Sequence, residues 1–261
     1  MITVLTGSSA GIGAAAALDL ANRGHQLVLV GRSSERLDGV ASAVERASGS
    51  LPETFSADFA SFDDVRRLAE RLRDRHERID VLVNNAGMMT LKREITADGH
   101  EAMMQVNHLS PFLLTNLLLD RVGRVVTTSS RAGRTGALDP GDLSRERRRW
   151  SGWLQYGDTK QANALFTVAL AARGVAATCI HPGVLRTGFA AETFFMTLVH
   201  RVPGMGEPVE AGGARLAALA DQEGESGRFY HKDRIVNVPA RMSDPVLAAQ
   251  LWEASLTAVG L

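Results

Sequence analysis

The chain has one cysteine in 261 residues, Cys179. An intrachain disulfide is therefore excluded, and nothing suggests a cross-linked secreted scaffold. Cys179 stands in the apolar run 175–180 and reads as an inert core thiol. Net charge is also missing: 29 Lys and Arg balance 29 Asp and Glu. That leaves no electrostatic case for a nucleic-acid or acidic-membrane partner. No long apolar run exists either; the stretch around 111–119 falls well short of the ~20 residues that span a bilayer. The first strand candidate begins at residue 2, leaving no room for a leader or anchor, so a cytoplasmic location is expected. His76, His100, His108 and His181 lack ligand spacing, and no metal is expected. His108 reads as packing or a local hydrogen bond. The densest basic run, 145–149, is broken by Glu146 and follows a turn-like Asp139-Pro140-Gly141-Asp142. It reads first as a solvated loop or helix face, with an anion or partner site as the alternative.

What is present is a βα rhythm. Short Val/Ile/Leu runs at 2–5, 27–30, 54–57, 79–83, 124–128, 175–180 and 228–231 show little polar alternation, as strands covered on both faces do. Helical patterns are predicted at 11–23, 34–47, 61–76, 99–119, 154–172 and 208–219. Ser61 with Asp64 suggests a capping box. After Ser243-Asp244-Pro245, an apolar pattern through Leu251, Trp252 and Val259 predicts a docking helix capped by Ser243, with Trp252 as packing. The reading is one α/β domain over 1–261: a doubly wound, Rossmann-type, mostly parallel sheet of about seven strands with helices on both faces.

Between the first strand and first helix lies Thr6-Gly7-Ser8-Ser9-Ala10-Gly11-Ile12-Gly13. Glycines there permit a tight turn and close approach to a pyrophosphate, while the helix start offers N–H groups and a favourable dipole. Gly7, Ser9, Gly11, Ile12 and Gly13 are candidate cofactor contacts. The second strand ends Val30-Gly31-Arg32-Ser33-Ser34, without the acid that holds the ribose 2′-hydroxyl of NAD. Arg32, helped by Ser33 or Ser34, suits a 2′-phosphate, so NADP (NADPH) is preferred over NAD. Asp58 could accept from the adenine amino group or serve only the helix approach. Asn84-Asn85-Ala86-Gly87 follows the fourth strand. Its small residues admit the cofactor (Asn85, Ala86 and Gly87 as contacts), while an asparagine there can also tie strands together.

Tyr156 and Lys160 are four apart and share a helix face. A free phenol, with a pKa of about 10, is a poor base; a nearby ammonium favours the phenolate and lowers that pKa. The same lysine can hold ribose hydroxyls. A hydroxyl for the substrate oxygen is available in Thr127-Thr128-Ser129-Ser130; Ser130 is the candidate and Ser129 the runner-up.

The cradle, Asn84-Asn85-Ala86-Gly87, Ser130, Tyr156-x-x-x-Lys160 and His181-Pro182-Gly183, in that order over essentially all 261 residues, resemble the short-chain dehydrogenase/reductase family. The stretch 105–119 and the tail (Gly227-Arg-Phe-Tyr230 and 251–255) are similar to retinol-dehydrogenase-like members, as is the wide Ser130–Tyr156 separation. The resemblance implies that Ser130 orients the substrate oxygen and Tyr156 exchanges the proton. It implies that Lys160 lowers the phenol pKa and binds ribose, and that Asn107 supports a water relaying protons to Lys160. Pro182, Gly183 and Thr187 would line the nicotinamide, and hydride would move on the 4-pro-S face. A homodimer or homotetramer through the helices near 99–119 and 154–172 is also implied. Gly157-Asp158-Thr159 departs from the usual residues before the lysine; Asp158 either faces outward or perturbs Lys160. The membrane-anchoring segment of many retinol dehydrogenases is absent, so a retinoid is not implied.

Segment 134–152 is expected to form an inserted loop over or beside the pocket. Segment 184–206, with Phe189, Phe194, Phe195 and Met196, is expected to cover the substrate, although packing within the core or an oligomer explains its apolarity equally well. The expected activity is NADP-dependent interconversion of a lipophilic ketone or aldehyde and its alcohol, on a small molecule and with no nucleic acid or membrane. Two rivals are a non-catalytic dinucleotide-binding sensor or interaction protein, and an NADPH-dependent carbon–carbon double-bond reductase.

Overall fold

Runs of branched apolar residues without polar alternation become strands packed on both faces, which parallel strands between helices require. The computed structural model describes residues 1–186, 206–222 and 225–261. In it, one eight-stranded sheet has the order β3-β2-β1-β4-β5-β6-β7-β8. The strands are β1 Ile2–Thr6, β2 Gln26–Gly31, β3 Glu53–Ser56, β4 Ile79–Asn84, β5 Val122–Thr128, β6 Ala176–His181, β7 Arg228–His231 and β8 Arg234–Ile235. All neighbours are parallel except β7 and β8. The sequence predicts about seven strands. The extra one, β8, has two residues and returns through Lys232 at φ 56°, too short to leave a periodic pattern.

The helices among the described residues are α1 Gly11–Asn22, α2 Ser34–Ser48, α3 Phe62–Arg75, α4 Ala102–Met104, α5 Ser110–Leu117, α6 Gly152–Ala172, α7 Val209–Asp221 and α8 Pro245–Val259. Successive strand side chains point to opposite faces, and both faces are apolar. Leu5, Leu29, Val83 and Val126 join the core under α1, α2 and α7. Val4, Val28, Leu82 and Val125 join the core under α3, α5, α6 and α8. Trp252 of α8 packs edge-on to Phe112 at 5.0 Å and lies 6.0 Å from Phe166. Glycine lets α7 close on α1: a Cβ on Gly213 would come within 2.6 Å of the Ala15 Cβ.

Three local readings are corrected. The helix predicted at 99–119 starts at Ala102 and is interrupted by a π turn, Gln105–Leu109, between α4 and α5. Pro111 has no N–H, so the Asn107 carbonyl loses its ordinary i+4 donor and the hydrogen-bond ladder shifts there. Asp244, not Ser243, caps α8, accepting from the Val246 amide at 2.8 Å; it immediately precedes Pro245 at the first helical position. Ser61 caps α3, but the Asp64 carboxylate turns to the Asp58 amide at 3.0 Å and does not complete a reciprocal box.

Candidate active site

The strand order reverses between β1 and β4, the point at which open sheets of this kind take ligands at the carboxyl ends of their strands. The sequence-predicted residues gather along that edge: the cradle follows β1, Arg32 follows β2, Asp58 follows β3, Asn85 follows β4, Ser130 follows β5 and Pro182-Gly183 follows β6. Thr187 and most of 184–206 lie outside the described residues.

The cradle fits a dinucleotide phosphate. Gly7 and Gly11 take φ of 67° and 55°, a region costly for residues with a Cβ. A Cβ on Gly7 would stand 2.7 Å from the Ala86 Cα, and one on Gly13 would overlap the Gly7 carbonyl. Helix α1 begins at Gly11, and Ala10 at its N-cap position supplies no side-chain cap, so its first N–H groups can face an anion. Ser8 spends its hydroxyl on the Val30 carbonyl at 3.1 Å, fixing the turn against β2. Ser9 and Ile12 are half-buried on the turn. Arg32 is exposed just beyond β2. Ser33 caps α2 by accepting from the Arg36 amide at 3.3 Å, which leaves its O–H able to donate. The Asp58 carboxylate accepts from the Ala60 amide at 2.9 Å, the helix-approach role.

Asn85 is mainly a tie. Its amide donates to the Thr6 and Gly7 carbonyls at 3.1 and 3.3 Å, and its oxygen accepts from the Thr128 hydroxyl at 3.2 Å. The Thr6 hydroxyl accepts from the Asn85 and Ala86 amides at 3.0 and 3.1 Å. β1, β4 and β5 are thus stitched under the cofactor cleft. The buried Asn107 amide grips the Met88 backbone, accepting from its N–H at 2.7 Å and donating to its carbonyl at 2.9 Å, and reaches the Thr159 hydroxyl at 3.1 Å.

Helix α6 carries Tyr156 and Lys160 on one face, with the ammonium 5.5 Å from the phenol ring centre. Lys160 Nζ donates to the Thr128 carbonyl at 3.3 Å, which also accepts from Asn163 at 3.1 Å. Burial pushes the Lys160 pKa down to about 8. Burial also drives the Tyr156 phenol well above its usual range, with a hydrogen bond from Ser130 pulling the other way. The two serines separate clearly. Ser129 is buried and donates to the Lys160 carbonyl at 2.6 Å; Ser130 opens the turn Arg131–Thr135 beside the phenol. The tying roles of Thr6, Thr128, Thr159 and Asn163 escaped the sequence reading, although the first three stand in its motifs. Only Asn163, three residues after Lys160, carried a spacing signal.

Asp158 neither faces outward nor meets Lys160. Fully buried, it forms a two-point ion pair with Arg145 at 2.8 and 3.0 Å and accepts from the Ala137 amide at 2.8 Å. Arg148 pairs with Asp142 at 2.9 Å. The basic run is therefore split: Arg145 and Arg148 staple the inserted segment onto α6, while Glu146, Arg147 and Arg149 are exposed, as a solvated loop predicts. Arg145 even adopts φ 48°, uncommon for a residue with a Cβ. Behind Pro182, Arg215 donates to its carbonyl at 2.8 Å and pairs with Glu207, which also meets Lys232 at 2.5 Å. These two cations hold the Glu207 carboxyl below its usual range. Gly183 takes φ 118° against this brace. Burial pushes Cys179 up to about 12, consistent with an unreactive thiol.

Among the described residues no group of three or more His, Cys, Asp or Glu could hold a metal ion, and no helix is long and apolar enough to cross a membrane.

Residues 1–196 match the short chain dehydrogenase family. The chain belongs to the short-chain dehydrogenase/reductase family, with retinol-dehydrogenase-like relatives, and is an oxidoreductase using a nicotinamide dinucleotide on a small-molecule substrate. It is 43% identical to the Streptomyces sp. (strain C5) protein named "Putative daunorubicin C-13 ketoreductase DnrU", over 98% of this chain and 92% of that one. It is 33% identical to human retinol dehydrogenase 13, over 99% and 84%. Among solved structures, a Mycobacterium paratuberculosis protein superposes with a TM-score of 0.79 at 33% identity, over 99% and 93% of the two chains. A Shigella flexneri short chain dehydrogenase complexed with NADP gives 0.69 at 26% identity, over 89% and 97%.

Proposed function

We propose that the protein is an NADPH-dependent carbonyl reductase acting on a lipophilic ketone or aldehyde, reversibly with the alcohol. The observation that carries this reading is the constellation on α6: the Tyr156 phenol beside Ser130 and one helical turn from the buried Lys160 ammonium. A nicotinamide cofactor held by the Gly7–Gly13 cradle would supply the hydride for the carbonyl carbon. The Ser130 O–H bonds the carbonyl oxygen as charge develops on it, and Tyr156 gives that oxygen its proton. Lys160, held by the Thr128 carbonyl, supports the phenolate left behind and offers N–H groups to ribose hydroxyls. Because the Asn107 side chain is committed to Met88 and Thr159, its part in a water relay to Lys160 falls to the backbone carbonyl freed opposite Pro111.

NADP preference rests on exposed Arg32 and the missing acid after β2, supported by the relative complexed with NADP. Gly7, Ser9, Gly11, Ile12, Gly13, Ser33, Asp58, Asn85, Ala86, Gly87, Pro182, Gly183 and Thr187, with Tyr156 and Lys160 themselves, are the further proposed cofactor contacts. The reductive direction is supported by the name of the DnrU relative.

Tyr156→Phe tests the assignment. Turnover of a ketone panel should fall by about 10²- to 10⁴-fold, the usual worth of a general acid, while NADPH titration gives an unchanged Kd. Full activity would remove Tyr156 as the donor.

A further inference from the structure

His108, on the π turn Gln105–Leu109, is fully buried. Its ring centre lies 5.9 Å from that of Phe166 and 6.0 Å from that of Phe112. Burial pushes its pKa down to about 4, so near neutrality the imidazole carries a single N–H. Its partners decide which nitrogen bears that proton. Asn163 of α6 spends its amide N–H on the Thr128 carbonyl at 3.1 Å, and its buried Oδ1 has no partner beyond the imidazole. His108 Nδ1 is likewise buried without another partner. The Asn163 side chain hydrogen-bonds His108 in the sense that an acceptor gives. Nδ1 therefore carries the proton and donates it to Oδ1. Nε2 is then the acceptor, and it takes the Ser255 hydroxyl of α8 at 2.9 Å. The series Ser255–His108–Asn163 ends on the Thr128 carbonyl, the oxygen that also holds Lys160 Nζ at 3.3 Å.

We propose that His108 and Asn163 are positioning residues for Lys160: the imidazole N–H keeps the Asn163 amide turned so that its own N–H shares the Thr128 carbonyl with the ammonium. The effect on turnover rests on the reductase reading. A carbonyl shared with a second donor favours the charged lysine less than one that serves it alone. Losing the Asn163 N–H, or the imidazole N–H that aims it, therefore raises the Lys160 pKa. Two titratable groups face Lys160 among the described residues: the Tyr156 phenol on its own helix and the Cys179 thiol of β6. Burial pushes the thiol up to about 12, and a Tyr156→Phe background removes the phenol.

The chain has three lysines, Lys92, Lys160 and Lys232, so lysine labelled at Cε gives three NMR signals, and Lys160→Met identifies the one wanted. Its titration midpoint is followed in the Tyr156→Phe background. Asn163→Leu and His108→Phe should each raise it by about one unit, the scale on which a neighbouring group moves a pKa. His108→Asn, whose Nδ2 can occupy the place of Nδ1, should return it to the starting value. Ser255→Ala removes a bond of the same buried network without touching the Nδ1–H, and should leave the midpoint in place. An unmoved midpoint in folded Asn163→Leu, or an equal rise with Ser255→Ala, would overturn the proposal. Imidazole nitrogen shifts give a readout on the unaltered protein: the His108 signals, identified by their loss in His108→Asn, should show a protonated Nδ1 and a bare Nε2. The opposite tautomer would also overturn it. With Tyr156 in place, the falling limb of ketone reduction should move upward with the midpoint. If no ketone is reduced but the midpoint shifts, the reductase reading fails and the positioning stands. Normal turnover with a fixed midpoint sinks the positioning alone; if both are lacking, both fail.

Discussion

Lys160 loses solvation to the packing that holds it in place, which is why its pKa falls to about 8. The direction fixes the pH response of the proposed reaction. Below that value Lys160 carries its charge and supports the developing phenolate; above it the ammonium is lost. The reductive kcat should therefore decline as pH rises through about 8, and Lys160→Met should remove that limb along with most of the rate. A pH–rate profile of both proteins checks this. At the cofactor's other end, Arg32→Ala should raise KM for NADPH about tenfold while leaving NADH nearly unchanged, as loss of a charge-assisted bond requires; an unchanged ratio of the two constants would clear Arg32 of any part in selectivity. Tyr156, Lys160 and the glycines were legible because their spacing is their chemistry. Ser130 was chosen over Ser129 from the sequence, but the physical reason for the choice was not legible there. Adjacent hydroxyls at a strand end differ only in which way they point, and Ser129 points to the Lys160 carbonyl.

At the scale of elements, helix α6 is held by a contact that no local pattern reports. Arg145 and Asp158 are thirteen apart, a spacing with no helical meaning, and Arg145 lies in irregular backbone. Charge counting therefore assigned the basic run to solvent. Removing one partner of a buried pair leaves an uncompensated charge, so Arg145→Met should cost about 3–5 kcal/mol in urea unfolding. The double change Arg145→Met with Asp158→Leu should recover much of it. The helix break at Gln105–Leu109 was half legible: Pro111 stood in the sequence, but an apolar periodicity running through it concealed the lost hydrogen bond.

For the whole molecule, topology was the most readable property. Seven of eight strands stand within a few residues of their predicted places, because a strand covered on both faces must be apolar throughout. The terminal helix α8 closes the structure by seating Trp252 on Phe112 and Phe166. Trp252→Ala should lower the unfolding free energy by about 3–5 kcal/mol, read from the urea midpoint. The same helix covers part of α5 and α6, the surfaces through which the family resemblance implies a homodimer or homotetramer. Sedimentation equilibrium tests assembly directly; a single species of 28.0 kDa would remove it.

The Asp158 carboxylate sits between Tyr156 and Lys160 in sequence while, among the described residues, its counter-charges come from the inserted segment. The segment and α6 are thus one structural unit. A chimaera that imports a different 134–152 segment to change substrate range, without a cation to replace Arg145, would strand a bare carboxylate inside the helix that presents the phenol. Loop grafting here succeeds only when residue 158 travels with the graft or is neutralised beforehand.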